Sequence, residues 1–446
     1  MKYVEPVKSV VLFVLVILSI VLTFLIWTYS PDYQYVEKVE GKEEIAVGTK
    51  KDIDDVIKPY KAIYRAEDKW TGTASNGAMR NLMNAFDEWE ALGLELVNSN
   101  VSLNYLNEIM RTNNRLTVFF AGEVPFSVFN SVLHFTDKEL PETTFNRIII
   151  DWDKYNNNEL DLFFVSGNNT TLLRSHVRIP DGNQFIEEII EPSKKYNMFK
   201  EVERDGYASL YVADEKVEVL KYTYVIEELS EELSLEKFKN VLFADPNIVK
   251  RNEGSATVEK YTDGMSLMTV DTHFKSLNYV YPAAESSVRA IPSKIVKDSF
   301  DFVNEHGGFT ADYRYVSMNP SKNQMDYQLY LEGFPVYSDQ TTTRITTVWG
   351  DNRIFGYKRP YFSLDMDIAS EKEIKGLPSG TEIIEKIREL DTIALSDLDE
   401  IVVGYYLIQD ENQQLFKLEP GWFLVHKGTW KLLTPEMLGG VENRLE

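Results

Sequence analysis

The 446-residue chain contains 70 Asp and Glu residues but only 47 Lys and Arg residues, which gives a formal net charge of −23. This acidity argues against nucleic acid as a partner, because phosphate recognition needs clustered Lys and Arg. The sequence has no cysteine, which excludes disulfides, thiol nucleophiles and zinc sites of the cysteine type. The length and the hydrophobic fraction of 43% are enough for two or three folded domains.

A membrane anchor is predicted near the N-terminus. Residues 10–27 form an unbroken run of 18 apolar or small uncharged residues. A helix of that length is about 27 Å long, close to the hydrocarbon thickness of a bilayer. Lys2 and Lys8 precede the run, so the positive-inside rule favours a cytoplasmic N-terminus.

We therefore expect a single-pass protein of the cell membrane with most of its chain extracytoplasmic. The predicted segments are a cytoplasmic tail at 1–9, a transmembrane helix at 10–29 and a charged stalk at 30–58. A cleaved signal peptide is the alternative. It is disfavoured because the run is longer than an ordinary signal core and no cleavage site of small residues follows it.

One face of the predicted membrane helix is a candidate contact surface for another helix. Ser19 and Thr23 form a pair of small polar residues four positions apart, through which a second helix could approach closely. The face consists of Leu12, Leu15, Ser19, Leu22, Thr23 and Ile26. The alternative is a plain anchor in which Ser19 and Thr23 bond back to their own backbone.

The rest of the chain predicts an α+β fold built from antiparallel sheets with packed helices. In the first predicted domain, 59–192, apolar residues from Met79 to Trp89 recur at helical spacing, and a short helix at 184–191 is expected to end at Pro192. Strands are expected at 116–120, 145–152, 160–165 and 172–179. The second domain, 193–290, is predicted to contain a helix from Ser234 and strands at 208–213, 217–226, 256–261, 265–269 and 277–281.

The third predicted domain, 291–446, begins with a helix that Ser293 is expected to cap and that Gly307 and Gly308 are expected to end. Ser379 and Glu382 fit a capping box at the start of another helix. Strands are expected at 309–317, 325–332, 342–349, 354–362, 402–409, 414–418, 422–425 and 430–433, with a turn at 419–421. The second and third domains repeat one plan of strands, capped helix and meander, so we expect them to share a topology.

The sequence contains no catalytic or metal-binding motif, and we expect no catalytic residue, cofactor or metal site. The histidines are scattered, at His134, His176, His273, His306 and His426. The carboxylate pairs Asp151/Asp153 and Asp365/Asp367 lack the rest of a calcium loop and are interpreted as solvated turns or strand ends. Aromatic runs at 279–281, 313–315, 405–406 and 422–423 could stack sugars, but their strand spacing favours core and cross-strand pairs.

Several segments resemble one known family. The opening residues 7–33, with a Trp-Thr-Tyr end to the apolar helix followed by Pro-Asp-Tyr, are similar to the start of the YycH family. This family comprises accessory membrane proteins of the WalK/WalR (YycG/YycF) two-component system of low-GC Gram-positive bacteria. Further similar segments are FFAGEVPF (119–126), YQLYLEGFPVY (327–337), IFGYKRPYF (354–362) and LEPGWFLVHKGTWKLL (418–433).

This resemblance implies regulation without catalysis. Proteins of the family pair with a similar single-pass protein, YycI, and act on the sensor kinase through their transmembrane helices, with the ectodomains associating outside. The family fold has three α/β domains, of which the last two are related. The alternative hypothesis is an exported cell-envelope enzyme or wall-binding protein that uses carboxylates on glycans. A third hypothesis, a sensor of a small ligand, would require a pocket between domains.

Overall fold

The computed structural model describes residues 12, 15–19, 21–22 and 50–437, except 157, 168–170, 227–234, 253–254, 307, 365–366, 391–392, 411, 413 and 435–436. The chain divides into two compact units, Met1–Glu44 and Ile45–Glu446. The described residues of the first unit are all helical. No helix among the described residues has both the length and the apolar character needed to cross a bilayer. Most of the predicted helix at 10–29, the tail at 1–9 and the stalk up to residue 49 lie outside the described residues.

Within the described part of the second unit, ten strands form a first, mainly antiparallel sheet. Its order is β10-β9-β2-β1-β4-β6-β7-β8-β3-β5, and β3 and β5 pair in parallel. The strands are β1 Lys61–Ala66, β2 Lys69–Thr73, β3 Glu90–Asn98, β4 Arg115–Pro125, β5 His134–Phe135, β6 Thr144–Asn156, β7 Glu159–Val165, β8 Leu172–Arg178, β9 Asn197–Arg204 and β10 Tyr207–Ala213. The α-helices are α1 Ile53–Val56, α2 Asn76–Asp87, α3 Leu103–Arg111, α4 Phe126–Phe129 and α5 Gly182–Phe185.

Helix α2 shows why these residues form their elements. Ser75 caps the helix by accepting a hydrogen bond from the backbone nitrogen of Ala78, 3.2 Å away. The predicted apolar spacing is confirmed, because Met79, Leu82, Met83 and Phe86 are all buried. Beneath α2 and α4 lies an aromatic core in which ring centroids are 5.0 to 6.1 Å apart. Its rings are Phe86, Phe120, Phe126, Phe129, Phe145 and Phe164.

A second sheet contains fourteen of the described strands. Its main order is β12-β13-β14-β15-β20-β19-β17-β18-β22-β23-β11-β21, with β16 beside β17 and β24 beside β23. The strands are β11 Val217–Val225, β12 Lys250–Asn252, β13 Val258–Thr262, β14 Leu267–Asp271, β15 Ser276–Val280, β16 Tyr313–Asn319, β17 Gln324–Leu331, β18 Phe334–Tyr337, β19 Arg344–Trp349, β20 Ile354–Pro360, β21 Glu373–Leu377, β22 Glu400–Asp410, β23 Leu415–His426 and β24 Thr429–Leu432. The α-helices are α6 Leu235–Leu242, α7 Pro292–Glu305 and α8 Gly380–Glu389.

The sheets cut across the predicted domain boundaries. Strands β9 and β10, which follow residue 193, pair with the first sheet, whereas β11 belongs to the second. The chain therefore crosses between sheets at residues 214–216. The three-domain division and the shared topology of the last two domains stay predictions.

Two predicted helix ends are wrong. Helix α7 begins after Ile291 with Pro292 in its first turn, and its N-cap makes no side-chain hydrogen bond. The predicted cap, Ser293, instead donates a hydrogen bond to Glu142, 2.8 Å away. Pro192 does not end the helix of 184–191, because α5 continues as a π-helix, Ile186–Ile190, and a 3₁₀ helix, Glu191–Lys195, whose first turn accommodates the proline.

The predicted turn at 419–421 is also wrong, because β23 runs through it without a break. Pro420 lies opposite Tyr405, and Gly421 lies opposite Gly404. On its other side, β23 pairs with β11 up to Leu418 and with β24 from Phe423 onward. Pro420 falls between these two partners, where its missing N–H interrupts no ladder on that side. The cap at Ser379 is confirmed, since its side chain accepts from the backbone nitrogen of Glu382.

Candidate interaction surfaces

The described N-terminal residues carry large apolar side chains that are about half exposed or more. Leu12 is 65% exposed, Leu15 56% and Leu22 50%, and Val16, Ile17, Leu18 and Val21 are exposed to a similar degree. Side chains of this size are normally buried in a folded protein. A group of exposed large apolar side chains marks a surface that meets lipid or another protein.

The structure describes four of the six predicted contact residues. Leu12, Leu15, Ser19 and Leu22 are each helical, and their spacing of three and four residues is the spacing of one helical face. Thr23 and Ile26 lie outside the described residues. The contact role of all six stays a prediction.

The described members of the two carboxylate pairs make contacts within the protein. Asp151 is buried in the middle of β6, contrary to the expectation of a solvated turn or strand end, and its Oδ1 lies 2.6 Å from Nη1 of Arg115. Burial lowers the pKa of the Arg115 guanidinium, while the negative charge of Asp151 opposes that shift. Asp367 pairs with Lys372, and Asp365 lies outside the described residues. Asp151 therefore forms a cross-strand ion pair between β6 and β4 of the first sheet.

No group of three His, Asp or Glu side chains in the described part of the chain is arranged to hold a metal ion. The histidines lie on separate elements, namely β5, β8, the turn between β14 and β15, the end of α7 and the end of β23. The aromatic runs supply the core, as their strand spacing predicts. Tyr279, Tyr313, Tyr315, Tyr405, Trp422 and Phe423 are all buried.

A buried polar contact that no local sequence pattern predicts joins the two sheets. Lys61 of β1 places its Nζ 2.6 Å from Oε2 of Glu400 on β22, and the Tyr60 hydroxyl donates to the same oxygen at 2.6 Å. Burial, together with the charge of Glu400, raises the pKa of Tyr60 well above its usual value. The sequence signal was a lysine at the start of an otherwise mainly apolar strand. This arrangement links β1 of the first sheet to β22 of the second.

An exposed apolar pair lies at one edge of the second sheet. Leu220 of β11 and Ile374 of β21 are directly opposite each other and are 39% and 63% exposed. Strand β21 is the last strand of the sheet among the described residues. An uncovered strand edge beside apolar side chains can accept a strand from a partner protein.

Comparison with known proteins identifies the family. Residues 5–197 match the family model described as "YycH protein, N-terminal domain", and residues 207–437 match "YycH protein, C-terminal domain". A relative from Bacillus subtilis (strain 168), named "Two-component system WalR/WalK regulatory protein YycH", is 21% identical over 452 residues, which cover 97% of each chain.

The solved structure described as "Crystal Structure of YycH from Bacillus subtilis" has the same fold. The match has a TM-score of 0.72 at 17% identity and covers 87% of this chain and 98% of that one. The resemblance seen in the sequence segments is thus confirmed over both halves of the chain. The chain belongs to the YycH family.

Proposed function

We propose that this chain is a membrane-anchored extracytoplasmic protein that modulates the sensor histidine kinase of a WalR/WalK-type two-component system controlling cell-wall metabolism. The proposal is supported by membership of the YycH family and by the regulatory name of a relative that aligns over 97% of both chains. In this proposal the protein acts without catalysis, through contacts with the kinase and with a YycI-like single-pass protein.

The single observation that carries the proposal is the exposed apolar surface of the N-terminal helical residues. Seven large apolar side chains, at residues 12, 15–18 and 21–22, are each at least 45% exposed. We propose that lipid covers most of this surface, and that the face with Leu12, Leu15, Ser19 and Leu22 meets a helix of the kinase or of the YycI-like protein. A helix that binds one signalling state of the kinase more tightly shifts the equilibrium by that difference in affinity.

The folded unit would supply a second contact. We propose the edge of β21, with Leu220 and Ile374, for the YycI-like protein, because apolar residues exposed on a strand edge favour pairing with another strand. A charge at Ile374 would oppose that pairing. Val288 is 67% exposed but lies outside every strand, so Val288→Lys is a matched control for Ile374→Lys.

Co-purification from membranes tests both contacts. We expect the native chain to recover a histidine kinase and a second single-pass protein. A chain whose residues 10–27 are replaced by an unrelated membrane helix should lose the kinase, and Ile374→Lys should recover less of the single-pass partner than Val288→Lys. Recovery of neither protein by the native chain would contradict the proposal, and assays of wall hydrolysis and wall binding would then test the alternative function.

A further inference from the structure

A charged cavity lies between the start of the described folded chain, the first turns of α2 and the segment that enters β16. Its volume is about 250 Å³. Pockets for drug-sized ligands have volumes of about 300–1,000 Å³. The cavity is therefore suited to a small ion or to one charged group of a larger molecule.

The lining of the cavity carries excess positive charge. Four cations, Lys51, Lys58, Arg80 and Arg314, line it together with two carboxylates, Asp55 and Asp312. Both carboxylates already pair with cations of the same cavity. Lys58 Nζ lies 3.3 Å from Asp55, and Arg314 Nη2 lies 2.6 Å from Asp312.

The other two cations, Lys51 and Arg80, have no carboxylate within ion-pair distance in the described part of the chain. The local charge is thus opposite in sign to the net charge of −23 on the whole protein. A site of this kind attracts anions and disfavours cations.

Arg314 forms the buried wall of the cavity. Its side chain is only 3% exposed, and the guanidinium bonds to Asp312 and Asn76 and lies over the ring of Tyr330, 4.4 Å from the centroid. Its Nη1 has no hydrogen-bond partner among the described residues. A buried charged donor without an acceptor is costly, so an anion that accepts from this guanidinium would be stabilised there.

The cavity is held in place by neighbouring elements. The backbone nitrogen of Lys51 donates to the Asn304 side chain on α7 at 3.1 Å, and the same side chain donates back to the Lys51 carbonyl at 3.0 Å. Asn76 and Arg80 are fixed on the capped helix α2. A site assembled in advance binds its ligand without the entropy cost of ordering loops.

We propose that this cavity binds a phosphate-type anion. Arginine and lysine side chains around one small space suit phosphate, because guanidinium groups bond to its oxygens in parallel pairs and ammonium groups add charge. The phosphate could belong to a soluble molecule or to an anionic lipid headgroup, since residue 51 follows the predicted membrane helix by about twenty positions. This site is independent of the proposed regulatory function, because binding is measured on the purified protein without a kinase.

The test is a calorimetric titration of the full chain with inorganic phosphate, in nanodiscs of phosphatidylcholine and at constant ionic strength. We expect saturable binding at one site. Arg80→Gln and Lys51→Gln should each weaken it by about tenfold or more, because each removes a charged hydrogen-bond donor. The matched control is Arg289→Gln, which removes the same charge from an exposed loop position outside the cavity. We expect it to leave the affinity unchanged.

Absence of saturable phosphate binding by the unmodified chain would overturn the proposal. Equal affinities for Arg80→Gln and Arg289→Gln would also overturn it. Repeating the titration in nanodiscs that contain phosphatidylglycerol distinguishes the two sources of phosphate. Competition by this lipid in the unmodified chain would support a headgroup as the ligand, and an unchanged phosphate affinity would support a soluble phosphate.

Discussion

The N-terminal helical residues and helix α2 have similar apolar side chains but opposite exposure. Leu12, Leu15 and Leu22 are at least half exposed, whereas Met79 and Leu82 of α2 are 1% exposed. Helix α2 packs its apolar face on the first sheet, so its contribution is to stability. The N-terminal residues have no such cover within the described chain, so their contribution is expected to depend on lipid and on partner helices.

The two regions are expected to differ most in how their structure responds to alkaline pH. Burial raises the pKa values of Tyr64, Tyr315, Tyr327 and Tyr357 in the folded unit. A group with a raised folded pKa stabilises the protein below its unfolded pKa, and that stability is lost as the pH rises above it. Each of these tyrosines lowers the free energy of unfolding by about 1.4 kcal/mol per pH unit above about pH 10.

Together, these tyrosines should make the folded unit unfold cooperatively above about pH 10, as tyrosinate forms. Residues 10–27 contain no titratable side chain, so the membrane helix predicted there should keep its helicity over the same range. Circular dichroism on the full chain in nanodiscs would measure unfolding and helicity, and absorbance would measure tyrosinate formation. Titration of all the tyrosines at an ordinary pKa with the fold intact would contradict the proposed effect of burial on these four side chains.

The next largest difference is expected in the free energy of unfolding, when one apolar side chain in each region is truncated. Phe145 is fully buried among aromatic rings, so Phe145→Ala should cost about 3–5 kcal/mol of unfolding free energy. Leu15→Ala should change that free energy by less than about 0.5 kcal/mol, because Leu15 is exposed. Denaturant titration measures both values, and similar losses would show that the N-terminal helix is part of the folded core.

The ion pair of Lys61 and Glu400 between the sheets should contribute to the stability of the folded unit. Lys61→Met leaves Glu400 without its cation in a largely buried position and should cost about 2–4 kcal/mol. Lys69→Met on the neighbouring strand removes an exposed lysine and serves as the control. Equal thermal unfolding temperatures for the two variants would mean that the pair makes no net contribution.

A small gain is expected at the start of α2. Gly77 has open space around the position of an added Cβ, and alanine restricts the unfolded chain more than glycine does. Gly77→Ala should therefore raise the unfolding free energy by about 0.4–1 kcal/mol. A lower stability in denaturant titration would show that the helix needs glycine there.

Replacing Ser19 and Thr23 together with leucine is expected to have no effect on the stability of the folded unit. The double variant keeps the helix apolar but fills the space through which another helix would approach. We expect kinase-dependent transcription to change while the amount of exported protein stays constant. Unchanged reporter output would exclude this face as the contact.

Local sequence rules predicted much of the secondary structure but not which strands share a sheet. The spacing of Met79, Leu82 and Phe86 identifies α2, because one turn of helix depends only on neighbouring residues. Glu419-Pro420-Gly421 is typical of a turn, yet Pro420 lies within β23, where the ends of β11 and β24 leave a gap. Of these two strands, β11 is distant in sequence, and no local pattern reveals where its pairing with β23 ends. The same reason explains the burial of Lys61, whose partner Glu400 comes 339 residues later.

Some candidate surfaces could be predicted from local sequence, and others could not. Residues 10–27 were recognisable from composition, since an apolar run needs no tertiary information. The pair of Leu220 and Ile374, and the cavity with Arg80 and Arg314, depend on elements that are far apart in the chain. Neither could be predicted from spacing.

The most direct test exchanges residues 10–27 for an unrelated membrane helix in cells and measures WalR-dependent transcription, with export and thermal unfolding of the folded unit as controls. The proposed function predicts the transcriptional output of a strain that lacks the protein, together with normal export and an unchanged unfolding temperature. Normal regulation by the exchanged chain would contradict it, and would mean that the folded unit carries the signal.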